Sequence, residues 1–105
     1  MKTFTYNKTV FHVGTTAEEN WKLILSADSS FSWVHMDGVP SAHVIIDVDD
    51  EPSTEELMYA AQLCIAQTKT QSKKFVHTKI NNLRLAAKPG SVSFRKTEPV
   101  QFQLR

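Results

Sequence analysis

The chain has 105 residues, 41% of them hydrophobic and 22% charged, with a formal net charge of +1. These values fit one globular domain and exclude a disordered or fibrous chain. A single cysteine, Cys64, excludes an internal disulfide, and no apolar run approaches the length of a membrane span.

In chain order, Phe4 and Tyr6 alternate with threonines and predict a first strand, with Asn7-Lys8 as a turn. The N-terminus lacks a signal-peptide core. Val10–Val13 predicts a second strand, stopped by Gly14. Thr16 and Glu19 have capping-box spacing, and Trp21, Ile24 and Leu25 fall on one face of the helix behind them. Phe31–Met36 and Ala42–Val48 predict two strands joined through Asp37-Gly38-Val39-Pro40-Ser41, a hairpin. Phe31, Trp33 and His35 then share one face, as do His43 and Ile45. Ser53 and Glu56 form a second capping box, opening a helix with the stripe Leu57, Ala61, Cys64 and Ile65. Ala60 and Ala61 are small enough for close packing on a sheet. Gln67–Ser72 reads as a polar linker, Phe75–Ile80 as a strand and Asn81-Asn82 as a turn. Val92 with Phe94, and Val100 with Phe102 and Leu104, alternate as closing strands. The expected fold class is α+β: a single domain over 1–105 with an antiparallel or mixed sheet and two helices.

The near-neutral total hides a charge asymmetry. From Lys69 onward nine basic residues face one acid, Glu98, for a net of +8; the preceding 68 residues carry a net of −7. A basic segment of this kind draws polyanions and releases their counterions. Lys73, Lys74, Lys79, Arg84, Lys88, Arg95 and Lys96 are therefore candidate phosphate contacts. Between the two hairpin strands, His35, Asp37, Ser41 and His43 allow several chemistries. His35, His43 and Asp37 offer N,N,O metal ligation. A histidine with Ser41 offers a base and a nucleophile, without a visible third orienting group. Trp33, His35, Ser41 and His43 offer phosphate bonding and base stacking. They also fit a purely structural role, with Trp33 in the core and the histidines bonded to loop carbonyls. Cys64, in an apolar helical pattern, reads as a buried thiol.

The strings Trp33-Val34-His35-Met36 and Pro40-Ser41-Ala42-His43-Val44 resemble the hallmark of the NFACT-R (DUF814) domain family. Further matches follow in order: Gly14, Asn20 and Leu23 at the first helix, Thr54–Leu63 with Ala60-Ala61, Val76-His77-Thr78-Lys79, and Ala87-Lys88-Pro89-Gly90-Ser91-Val92. The resemblance runs over roughly Val13 to Leu104. Thr15 and Thr16 stand where the family carries a basic residue and Asn, Trp21 where it carries an acid, and Phe31 where it carries Asp. Only Gly14 and Asn20 are thus carried over as site residues at the helix entry.

The resemblance implies a non-enzymatic α+β domain that binds RNA, whose large multidomain relatives serve ribosome-associated quality control; some eukaryotic members are associated with DNA sensing. A chain this short has no room for the other domains or coiled coil of those relatives. The expected partners are RNA (tRNA or rRNA) or the ribosome, or DNA, with no membrane and no cofactor. The expected compartment is cytoplasmic, with the nucleus also open. Two alternatives stand beside this: a small protein-interaction domain docking a basic partner through Asp47, Asp49, Asp50, Glu51, Glu55 and Glu56, and a metal-dependent hydrolase built on His35, Asp37 and His43.

Overall fold

Asn7 and Lys8 both adopt positive φ, 49° and 67°, the backbone of the two-residue hairpin turn that matches strand twist. They fold β1 (Lys2–Tyr6) onto β2 (Thr9–Gly14). The computed structural model describes residues 1–69 and 71–105. The polar linker expected over Gln67–Ser72 includes Thr70, which lies outside the described residues.

After β2 come α1 (Ala17–Ser26), β3 (Ser32–Met36), β4 (His43–Ile46) and α2 (Thr54–Ala66). β5 (Lys74–Lys79), a 3-10 turn (Ile80–Asn82), β6 (Leu83–Leu85), β7 (Val92–Phe94) and β8 (Val100–Gln103) follow. Six strands form one sheet in the order β1-β2-β4-β3-β5-β8, and β6 and β7 form a separate pair. Every pairing is antiparallel. The fold is therefore α+β, with the sheet wholly antiparallel rather than mixed.

The side-chain alternation of a strand divides the sheet into two buried faces. On one face Phe11, Val13, Val34, Met36, Val44, Ile46 and Phe75 pack against Ala60, Ala61, Leu63 and Cys64 of α2. The alanines let the helix approach the sheet. Burial pushes the Cys64 thiol up to about 12, so it stays protonated and serves as core. On the other face Trp33, Ile45 and Val76 pack against Leu23 and Ile24 of α1 and against Ile80 and Leu83. Each such burial contributes about 1.5–3 kcal/mol.

Both helix starts form as the sequence predicts, with one difference. Ser53 and Glu56 make the reciprocal capping box. At α1, Thr16 Oγ1 accepts from Glu19 N–H at 3.2 Å, but the Glu19 carboxylate accepts from Thr15 N–H at 3.0 Å instead of from Thr16. That N–H bond, ahead of its other partners, holds the Glu19 carboxyl down to about 2. The buried face of α1 is Asn20, Leu23 and Ile24. Leu25, expected inside, is 72% exposed, because α1 has only one sheet face to cover and Leu25 lies on its far side.

The segment after β5 is the largest departure from the sequence reading. Asn81-Asn82 is part of the 3-10 turn, and Leu83–Leu85 forms a strand that its short length had hidden. Asn82 pins this region: its Oδ1 accepts from the N–H groups of Lys96 and Thr97, and its Nδ2 donates to Thr78 Oγ1 and the Thr97 carbonyl. A buried amide with four partners is fully satisfied.

Candidate functional site

The β3–β4 hairpin places its aromatic residues by register. Trp33 pairs with Ile45 and Val34 with Val44, so His35 and His43 come opposite each other one step further along. Their rings meet edge-on, with centroids 4.8 Å apart. Trp33 and His35, two residues apart on one face, stack at 5.4 Å and 6°. Phe94 packs edge-on to Trp33 at 6.0 Å. Trp33 Nε1–H donates to His43 Nδ1 at 3.1 Å. With Nδ1 accepting, the proton of neutral His43 resides on Nε2. Burial, reinforced by neighbouring His35, lowers the His43 pKa to about 3. Burial also lowers His35. Both rings are neutral at pH 7.

This arrangement corrects the expectation that Trp33 stacks on a base. Its relative exposure is 1%, His35 covers one of its faces, and its N–H is spent on His43. Trp33 is a positioning residue that fixes the His43 tautomer. Ser41 also turns inward: its Oγ accepts from Met36 N–H at 3.1 Å and donates to the Ala42 carbonyl at 3.0 Å. It closes the hairpin loop and has no histidine partner, so the base–nucleophile pair does not form. Among the described residues, no three His, Cys, Asp or Glu side chains come together in a metal-holding arrangement. His35, Asp37 and His43 therefore do not form the N,N,O set that the spacing allowed.

The start of α1 lies beside the hairpin. Gly14, the last residue of β2, pairs with His43. A Cβ on Gly14 would collide with Asn20 Oδ1, so the amide of Asn20 occupies the space over the sheet that a side chain at 14 would fill. That Oδ1 is buried and, among the described residues, has no hydrogen-bond partner. A third segment closes the site. Trp21 Nε1–H donates to the Ser91 carbonyl at 3.1 Å, tying the Lys88–Ser91 turn to α1. Gly90 adopts φ +83°, and a Cβ there would press on Ala17. Glycine thus lets this turn lie directly against the first turn of α1.

These three segments line one open cleft of about 920 Å³. Asn20, Trp33, His35, Ser41, His43 and Lys88 all border it. So do Thr15, Thr16, Lys69, Gly90 and Ser91, which the sequence reading had not assigned to a site. Trp21, one of the residues that depart from the family pattern, tethers Ser91. Asp37 and Glu98 also reach the rim. The cleft therefore carries two cations and two carboxylates.

The late cations do not gather into one patch. Lys79 and Lys96 border a separate cavity of about 270 Å³, with Glu51, His77 and Asn81. The Lys79 ammonium is engaged, donating to the Asp50 and Asp49 carbonyls at 2.6 and 3.2 Å. Lys79 is thus a strap on the acidic loop, which leaves β4 at the end away from His43. Arg95 Nε donates to the Leu83 carbonyl at 2.9 Å. Lys73 and Lys74 lie at the opposite end of β5 from Lys79, and Arg84 is exposed on β6. Neither cancellation nor continuity describes these charges: among the described residues no lysine or arginine side chain forms an ion pair with a carboxylate.

No family model matches the sequence and no curated protein matches it. Among solved structures, the chain is similar to the C-terminal of the fibronectin/fibrinogen-binding protein from Streptococcus suis, with a TM-score of 0.80 and 25% identity. The likeness covers 98% of this chain and 45% of that one, so this chain spans less than half of that structure. Among the described residues, no helix is long and apolar enough to cross a membrane.

Proposed function

We propose that this domain binds RNA non-enzymatically through the cleft between the β3–β4 hairpin, the start of α1 and the Lys88–Ser91 turn. One observation carries the reading: Asn20, the His35/His43 hairpin and the Lys88-Pro89-Gly90-Ser91 segment border a single cleft, although they lie far apart in sequence. Those are the segments on which the resemblance to the NFACT-R family rests. A family built for RNA on ribosomes supplies the partner class, tRNA or rRNA, and a cytoplasmic setting. Lys88 and Lys69 are exposed at the cleft and, among the described residues, carry no ion pair, so each can meet a phosphate. The chemistry is modest: neutral imidazoles, amides and hydroxyls that bond and orient, with two lysines adding charge.

The test compares tRNA, single-stranded RNA and duplex DNA at matched ionic strength by fluorescence anisotropy. Preferential retention of either RNA is the expected outcome. Equal weak binding of all three, or none, contradicts the proposal.

A second reading is protein binding. It is favoured by the structural neighbour, whose name records fibronectin and fibrinogen as its ligands, and by the exposed acids Asp49, Asp50 and Glu51. Immobilised fibronectin and fibrinogen, offered the isolated domain, separate this reading from the first. Saturable binding with no RNA retention selects it.

A further inference from the structure

We propose that the cleft floor between Asn20 and His43 is a nucleobase site, where the edge of one unstacked base donates to Asn20 Oδ1 and accepts from His43 Nε2–H. The inference rests on the RNA-binding reading and narrows it to a contact.

Asn20 is only 7% exposed, borders the cleft, and its Oδ1 lacks a partner among the described residues. A buried carbonyl without a donor costs about 1–3 kcal/mol. A ligand that brings an N–H to this point recovers that cost. Beside it stands a donor of fixed sense. His43 accepts from Trp33 through Nδ1, which leaves Nε2–H as its remaining polar atom.

The two groups are neighbours by construction. Asn20 Oδ1 sits where a Gly14 side chain would begin, and Gly14 is the cross-strand partner of His43. Cross-strand side chains start about 4.5–5.5 Å apart. Asn20 Oδ1 and the base of the His43 side chain therefore occupy neighbouring positions over the sheet.

A base edge has the complementary pattern. Each of the four RNA bases presents an N–H next to a ring nitrogen or carbonyl acceptor on its pairing edge, and that edge is free only in unpaired RNA. A phosphate fits the floor poorly. It would meet the lone pairs of Asn20 Oδ1, whereas Lys88 at the exposed turn suits it. The site therefore reads the presence of a base and a single strand, with the backbone left to the lysines.

The test uses a single-stranded RNA decamer and the matching abasic ribose-phosphate decamer, against wild type, Asn20→Leu and Asn20→Asp, which keeps an acceptor oxygen. In wild type the decamer with bases is expected to bind about tenfold more tightly than the abasic one, the worth of one buried hydrogen-bonded contact. In Asn20→Leu the ratio should fall to about twofold or less, and Asn20→Asp should restore part of it. Equal affinity for both decamers in wild type overturns the base site and leaves RNA binding standing. No binding of either decamer overturns both. Should Asn20→Leu not fold, titration of wild type with adenosine decides: a shift of the His43 ring nitrogen resonances supports the site, and unmoved resonances at saturating nucleoside overturn it.

Discussion

Trp33 Nε1–H points at His43 Nδ1 from 3.1 Å, inside a cluster where the indole is 1% and the imidazole 3% exposed. One buried donor thus sets the protonation pattern of the ring that borders the cleft. Trp33→Phe keeps most of the volume and removes the donor. It is expected to destabilise the domain by about 1–3 kcal/mol, the cost of a stranded buried acceptor, as read by urea denaturation. The His43 nitrogen spectrum should lose its single tautomer.

Acid should destabilise the fold through the same ring. The ordinary histidine value is 6.5, and burial lowers folded His43 to about 3. The unfolded chain therefore takes up the proton first. His43 contributes its full stability above pH 6.5 and loses it as pH falls from 6.5 toward 3, by up to about 1.4 kcal/mol per pH unit. Burial shifts His35 and His77 in the same direction. Urea midpoints measured between pH 7.5 and 5 are expected to fall with acidity, and less steeply in His43→Gln. An unchanged slope in that variant assigns the acid sensitivity elsewhere.

Gly14 ends β2, as its sequence position predicts, and its missing side chain also makes room for Asn20. Gly14→Ala should force α1 away from the sheet at a cost of about 1–3 kcal/mol, typical of an added methyl in a filled site. It should also weaken RNA retention, because Asn20 leaves the cleft floor. Wild-type stability and binding together contradict this placement.

The third wall of the cleft depends on Trp21. Trp21→Phe removes the bond to the Ser91 carbonyl and is expected to cost about 1 kcal/mol. Amide exchange over Lys88–Val92 should accelerate while β3 and β4 stay protected. Unaltered exchange there means that packing of Gly90 on Ala17 suffices to hold the turn.

Much of this architecture was legible in the sequence because local signals and tertiary packing agree there. The two-residue Asn7-Lys8 turn, the Ser53–Glu56 cap, the period-two hairpin and the Ala60-Ala61 contact each act over a few residues. What the sequence hid depends on long-range contacts. β6 is three residues long and acquires its partner only through the buried hub at Asn82. The exposure of Leu25 depends on which side of α1 meets the sheet. Of the residues that border the cleft, the hairpin pair, Asn20 and Lys88 were singled out in the sequence by residue type, charge and family resemblance. Lys69, Thr15 and Thr16 were missed, since nothing local marks a residue as facing a cleft assembled from distant segments. The charge asymmetry misled in part: β5 carries Lys74 and Lys79 to opposite ends of one strand, so a block that is continuous along the chain is divided in space.

The central claim is that RNA lies in the cleft of His35, His43 and Lys88. The direct measurement is the salt dependence of single-stranded RNA affinity for wild type and for Lys69→Glu combined with Lys88→Glu. With the two cleft lysines neutralising two phosphates, the wild-type log–log slope should be about −1.4, and the double charge reversal should abolish it and weaken binding at least about tenfold. Wild-type affinity and slope in the reversed variant, with its fold intact, would contradict the account.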